Sequence, residues 1–507
     1  ISPDLTTNDP KKQQQNETGG LTLDNSTAEN HCTIYSIAES PLDPKVIWVG
    51  TDDGNVHLTR DGGKTWKNLT ANVAGAPRFA TISTVEAGRF APGVAYLTID
   101  NHQAGDFTPY AFVTRDFGAT WQPLAMKGIE GWAHVVREDR VKADLLFLGT
   151  EMGLYITLDG GQNWAQFTGN FPAKVPVRDL AIHPRDHALI VGTHGRGIYI
   201  VDDLTPIRQI TPAVLDSNLT VLPSQPAVLT VGGAGQGFGG EDEFVGQNPR
   251  EAAWVTYYMK DRHLLGDFEI EILDADKKLV TRLVPGKRRG INRVAWAMRL
   301  KPPKVPRAAG LEAGALSGPV APEGNYTARI KKGEEVYTTD IKLTADPRSP
   351  HPEADRKLQQ KTTMALYRTL ENLAFTTAAV NEARDSAEKL AAKTKENEAL
   401  AKSLTEYAGT LKAFNEKLVI TRDQGITVEQ RLRERLGEVY GEVSRYGGKP
   451  TAQQIESAAL LDQQAAQAAA EAETLLGKDL EALNAKLKAA ALEPLKRLTR
   501  EEFDKRP

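Results

Sequence analysis

Four acidic side chains stand where a carboxylate can do chemistry. Asp52 and Asp53 form a pair in Val49-Gly-Thr-Asp-Asp-Gly54, Glu151 holds the matching place in Leu148-Gly-Thr-Glu-Met-Gly153, and Asp106 lies in a polar stretch at 101–110. Hydrolysis of a glycosidic bond needs two carboxyl groups flanking it, one of them protonated. Asp52, Asp53, Asp106 and Glu151 are therefore the candidate catalytic set. The competing reading of Asp52-Asp53-Gly54 is plain turn chemistry. Further side chains with binding chemistry are the candidate ligand-binding residues His31, Arg78, His102, Trp132, Arg178, His194 and Arg196, with Glu29 and His134. The histidines His31, His102, His134 and His194 are related only by long intervals, so no metal site is expected. Gly235-x-Gly237-x-x-Gly240 matches a dinucleotide fingerprint, but Glu241-Asp-Glu-Phe-Val-Gly-Gln-Asn-Pro249 after it is no amphipathic helix. That stretch reads as a loop, and no cofactor is expected.

What must position these side chains is a repeat. Thr59-Arg-Asp-Gly-Gly-Lys-Thr-Trp66, Thr114-Arg-Asp-Phe-Gly-Ala-Thr-Trp121 and Thr157-Leu-Asp-Gly-Gly-Gln-Asn-Trp164 share Ser/Thr-x-Asp-x-Gly-x-x-Trp. This pattern is identified as the Asp-box, or BNR repeat, of β-propellers. Its physics is local: the Asp accepts backbone N–H groups of its own turn, the Gly tolerates positive φ, and the Trp wedges between blades. Asp61, Asp116 and Asp159 are thus expected to be structural, with Trp66, Trp121 and Trp164. Four blades are expected, near 31–70, 76–124, 131–170 and 176–205, the box of the last having decayed. In such propellers the boxes lie on one face and the ligand site on the other. Four blades is the lower limit for a ring, and Ile1-Ser-Pro-Asp-Leu-Thr6 resembles the stretch after an Asp-box Trp. Residues 1–205 are therefore expected to be a partial propeller, its missing blades supplied upstream in the same precursor or by a second fragment; the alternative is a complete small propeller.

Residues 206–346 show period-two strands: Phe268, Ile270 and Ile272; Val294, Trp296, Met298 and Leu300; Tyr337, Thr339, Ile341 and Leu343. An antiparallel β-sandwich is expected. A Trp strand before Gly324-Asn-Tyr326 resembles the Ig-like domain of flagellar hook-capping proteins. The Pro/Gly/Ala-rich segment at 302–322 reads as a mobile linker. The basic residues Lys287, Arg288, Arg289, Arg293, Arg299, Lys301 and Lys304 read as a solvated sheet face, with an anion- or polymer-binding face as the alternative. After Pro352 the composition turns to Ala, Glu, Lys, Leu and Gln. Heptad seams through Leu366, Leu373, Val380 and Ala387, through Leu400 to Leu418, and through Leu432, Leu436, Val439, Val443 and Tyr446 predict an antiparallel bundle over 351–507. Its helices are expected near 353–394, 397–420, 428–446 and 452–491, with capping boxes at Thr427 and Thr451.

A net charge of −4 over 507 residues argues against a nucleic-acid binder. No apolar run is long enough for a transmembrane helix. One cysteine, Cys32, leaves the fold to its cores. Sequons at Asn16, Asn25, Asn68, Asn218 and Asn325 carry little weight. The Asp-boxes, the Gly-Thr phrases and His194-Gly-Arg-Gly-Ile-Tyr-Ile200 resemble bacterial sortilin-like BNR-repeat proteins of the "glycosyl hydrolase" type. That resemblance implies export to the periplasm, the cell surface or beyond, and does not fix an activity. Sialidases of this class combine an arginine triad with a Tyr–Glu pair. Arg78, Arg178 and Arg196 offer the first without the second. The expectation is a binding and scaffolding module whose propeller face holds a protein or a glycan. The alternative is an Asp-box glycosidase using paired carboxylates.

Overall fold

The computed structural model describes residues 2–13, 31–230, 249–310, 313–421 and 429–506. Glu29, Asn16, Asn25, the 235–240 motif and Thr427 lie outside the described residues. The chain divides into two compact units. One holds Ile1–Pro223, Thr256–Arg262 and Arg288–Ile291; the other holds Ser224–Val255, His263–Lys287 and Asn292–Pro507.

In the first unit the repeats fold as successive antiparallel sheets, strands in chain order. Blade one is Ile34–Glu39, Ile47–Thr51, Val56–Thr59 and Lys67–Asn68. Blade two is Thr81–Ala87, Ala95–Asp100, Tyr110–Thr114 and Gln122–Pro123. Blade three is Ala133–Glu138, Leu146–Thr150, Gly153–Thr157 and Ala165–Gln166. Blade four has three strands, Val177–Ile182, Leu189–Thr193 and Ile198–Val201, and then leaves through the short helix Thr205–Arg208. Each pair of neighbours shares an apolar core: Trp48, Val85 and Trp121 between blades one and two, Tyr96, Leu124 and Val136 between two and three, Phe147, Val177 and Leu180 between three and four. This is a β-propeller arc, and helices dominate the second unit.

The box turns explain their own sequence. Asp61 Oδ1 accepts the N–H groups of Lys64 and Thr65, both at 2.9 Å, and the Thr59 hydroxyl at 2.8 Å. Asp116 takes Thr120 N at 2.9 Å, and Asp159 takes Asn163 N at 2.9 Å. These bonds, the Thr65 hydroxyl foremost, hold Asp61 well below the usual carboxylate range. Each turn is also tied to the turn between strands one and two of its blade: Gly62 N to Lys45 O, Phe117 N to Gly93 O and Gly160 N to Asp144 O. The second box glycine receives the preceding blade. A Cβ on Gly118 (φ +76) would collide with Leu69 Cδ1, and one on Gly161 would lie 2.9 Å from Leu124 Cδ2. Gly118→Ala is therefore expected to destabilise the blade unit by about 1–3 kcal/mol, read from its urea midpoint. A wild-type midpoint would show that the seam yields at no cost.

The second unit contains a five-stranded sheet in the order Ala227–Leu229, Glu335–Ala345, Gly324–Lys332, Phe268–Leu273, Leu279–Leu283. The antiparallel expectation fails at one edge, where Ala227–Leu229 runs parallel to Leu343–Ala345. Helices follow at Glu353–Lys393, Glu398–Leu418, Leu432–Arg445 and Ala452–Thr474, the last continuing through the π-turn Leu475–Asp479 into Leu480–Ala489. Thr451 and Gln454 form the capping box at the start of Ala452–Thr474. Two expectations need correction. Tyr446 is exposed, and Tyr440 is the tyrosine buried in that seam. The described residues of 302–322 are not a free linker. Arg433 donates to the carbonyls of Pro306 and Gly310, Tyr440 to that of Ser317, and Gly441 lets Gly314 pack against its helix.

Candidate functional site

Box turns occupy one end of blades one to three, so the turns between strands two and three lie at the other. There the blades repeat a backbone bond. Asp52 N donates to Thr33 O, Glu151 N to Trp132 O and His194 N to Pro176 O. Asp52, Glu151 and His194 are thus equivalent positions on one face, each set by the residue after Gly-Thr.

A second repeated feature was not foreseen. Strand one of every blade carries a β-bulge near its start, where the register skips one residue: Tyr35, Ser83, His134 and Arg178. A bulge leaves one residue outside the ladder and re-aims its side chain. The bulged residues of blades three and four are neighbours, with Arg178 Nη1 3.3 Å from His134 Nδ1, and Ser83 Oγ of blade two donates at 3.2 Å to the carbonyl of Ala133, beside His134.

Around His134 the site is dense. His134 Nε2 is 2.9 Å from Glu151 Oε2, and Arg178 Nη2 is 3.6 Å from the same oxygen. Burial pushes His134 below its ordinary value, so the imidazole is neutral near pH 7. The network assigns the tautomer: Nε2–H donates to Glu151, and Nδ1 accepts from Arg178. Asp100, which sequence reasoning missed because it closes an apolar strand, binds His102 Nδ1 at 2.6 Å and lies 3.9 Å from His134 Nδ1. His102 stacks on Trp132 (centroids 4.7 Å, planes 10° apart), and exposed Phe107 lies 5.4 Å from the same indole. The 101–110 insertion and the segment before strand one of blade three thus build an aromatic cluster beside a guanidinium–imidazole–carboxylate relay.

The other candidates sit differently. Asp53 is buried. Burial alone would raise its pKa, but the Thr51 hydroxyl and Thr7 N–H (2.5 Å) outweigh it and keep the group below the usual carboxylate range. Asp52 accepts Thr33 N at 2.7 Å and Thr33 Oγ1 at 2.9 Å, with His31 Nδ1 4.0 Å away. Asp106 takes bonds from Asn101, Thr108 N and Tyr110, led by Asn101, which bring it down to about 2. Residues 2–13 lie along this end of blade one, where Leu5 is buried and its carbonyl accepts Asn55 Nδ2 at 3.0 Å. Arg78, His194 and Arg196 are exposed, and among the described residues no side-chain hydrogen bond or ion pair joins them to the cluster.

No family model matches the chain, and no curated protein matches it. Among solved structures it is similar to YCF48 bound to D1 peptide (19% identity, 31% of this chain, 47% of that one, TM-score 0.25). It is also similar to the GH74 xyloglucanase from Xanthomonas campestris (14% identity, 33% and 29%, TM-score 0.26). A third is the Niastella koreensis GH74 enzyme (10% identity, 62% and 47%, TM-score 0.28). The chain spans less than half the length of each. At such scores these likenesses decide neither fold nor activity, which rest on strand order and site geometry.

Proposed function

We propose that the blade unit is a binding and scaffolding module whose bulged face holds a neutral oligosaccharide without cleaving it. The observation that carries this reading is the Trp132–His102–Phe107 cluster beside Arg178, His134 and Glu151. Aromatic faces take the apolar face of a sugar ring, and a guanidinium and a carboxylate at its rim match vicinal hydroxyls. Hydrolysis fits less well. It needs a protonated carboxyl poised at the bond, whereas Asp53 and Asp106 are both held as carboxylates. The carboxyl that burial pushes up, Glu138, sits toward the opposite end of strand one with Tyr96 and Arg89.

The wider reading is a sortilin-like BNR-repeat protein, exported, with a propeller part at 1–205, an Ig-like part at 206–346 and a helical part at 351–507 that docks to partners. Its support is the sequence resemblance carried by the Asp-boxes and the Gly-Thr phrases. Calorimetric titration with a ladder of neutral β-linked gluco-oligosaccharides tests the binding. Saturable binding is expected, weakened at least about tenfold by Trp132→Ala, equivalent to about 1.4 kcal/mol, with no new reducing ends. Reducing ends that disappear in Glu151→Gln would install the hydrolase instead. Absence of binding to every sugar, with saturable binding of a peptide, would replace the glycan by a protein ligand.

A further inference from the structure

The two ends of the blade arc carry a repeated interface whose other half is not on residues 31–203. Strand-one residues opposite the strand-two positions Val49, Leu97, Leu148 and Val191 are Ile37, Val85, Val136 and Leu180. Val85, Val136 and Leu180 are 2%, 0% and 1% exposed and pack toward the preceding blade; Ile37 is 68% exposed. At the start of the same strand Ile82, Ala133 and Val177 are at most 2% exposed, and their counterpart Ile34 is 46% exposed. The trailing face repeats the pattern. On strand three, Val56, Ala111 and Leu154 are at most 1% exposed against the following blade, and their counterpart Ile198 is 72% exposed. Ile200 is 58% exposed where Leu58 and Val113 are 4% and 3%.

The contacts also say what fits. Across two seams a strand-two glycine receives a β-branched residue of the next blade. A Cβ on Gly50 would collide with Ile82, and one on Gly149 would lie 2.7 Å from Val177 Cγ1. The same notch on blade four, Gly192, meets only Asp179 of its own blade, at 3.6 Å. The notch on the first box, Gly63, meets only Trp66, whereas Gly118 and Gly161 receive Leu69 and Leu124. Apolar residues kept on both faces, each matching a buried series, mark blade–blade surfaces.

We infer that Ile34, Ile37, Gly63 and Trp66 on one end and Gly192, Ile198 and Ile200 on the other are ring-closing faces, occupied by further Asp-box blades of a polypeptide stretch outside residues 31–203. Such a blade presents a strand-two glycine and a box-following Leu to blade one, and a strand-one Ile or Val to blade four. The stretch, not a second copy, is the occupant because all three seams join blades consecutive along one polypeptide. This inference is independent of the ligand reading, which concerns the bulged end of the blades.

Thiol labelling tests it. In a Cys32→Ser background, Ile37→Cys and Ile198→Cys are labelled with a maleimide. The assay uses the chain as it stands, and the chain extended ahead of Ile1 by a duplicate of residues 76–170. At high dilution both thiols of the unextended chain are expected to react as exposed groups. In the extended chain the thiol at 37 is expected to slow by an order of magnitude or more, with 198 unchanged. Undiminished reactivity at 37 in the extended chain overturns the inference. Slowing at both positions as the unextended chain is concentrated, with a doubled mass by light scattering, overturns the assigned source in favour of a second copy.

Discussion

Trp121→Ala is expected to cost the blade unit about 3–5 kcal/mol, the range for truncating a buried aromatic, while Trp66→Ala costs at most about 1 kcal/mol. Both indoles end an Asp-box and stand at the same offset from its Asp. Trp121 is buried between blades one and two, edge-on to Trp48 with centroids 5.9 Å apart and planes at 80°. Its removal strips the Trp48 face and leaves a cavity walled by two sheets that cannot close over it. Trp66 is half-buried and donates Nε1–H to Gly63 O of its own turn at 3.2 Å. Urea unfolding followed by far-ultraviolet dichroism reads the difference as a separation of midpoints. Equal costs would mean that the box Trp only completes its own turn and does not wedge blades.

Asp139→Ala is expected to destabilise the same unit by about 3–5 kcal/mol at pH 7, because it strands a buried cation. Asp139 is fully buried in the turn after strand one of blade three, and it grips Arg208, nearly as buried, through two bonds of 2.8 and 2.9 Å. It also accepts Val141 N and Lys142 N at 2.9 Å. Burial alone would raise its pKa; Arg208 and the two N–H groups outweigh burial and set it below the ordinary value. The sign of the pH dependence follows. A carboxylate depressed on folding contributes stability that is complete above its unfolded value, near 3.9, and is lost as pH falls through the folded value. The gap between wild type and Asp139→Ala is therefore expected to be widest at neutral pH and to narrow below about pH 4. A gap that held constant with pH would show that the loss comes from packing, not from the ion pair.

How much of this was legible in the sequence depends on how local the cause is. The box turn is written within eight residues, since Asp61 is satisfied by Thr59, Lys64 and Thr65, so spacing alone betrays it. The strands on either side follow from it, because Gly-Thr and the box bracket a hairpin. Three of the four long helices followed from heptad seams for the same reason, and the last from the Thr451 capping box at its start. The bulges were not legible as bulges, because a register skip is a property of two strands together. Tyr35, Ser83, His134 and Arg178 do each follow a small or β-branched residue (Ile34, Ile82, Ala133, Val177), a common offset that an alignment of the repeats on strand one would have exposed. Asp100 looked like the end of a strand and gave no signal of its pairing with His102. Asp139 and Arg208, 69 residues apart, had none either. Period-two alternation is blind to strand direction, so it missed the parallel pair at Ala227–Leu229. Composition misjudged 302–322, whose Gly and Pro residues allow close approach to a helix, not freedom from it.

The bulged end of the blades, opposite the Asp-boxes, is the surface on which the account depends. Hydrogen–deuterium exchange with and without a saturating β-linked gluco-oligosaccharide reads that surface directly. Slowed exchange is expected at 101–110, at 130–135 and at 150–153, where Trp132, His134 and Glu151 reside, and exchange unchanged at the box turns 59–66, 114–121 and 157–164. Slowing confined to those box turns, with the Trp132 segment unaffected, would contradict it.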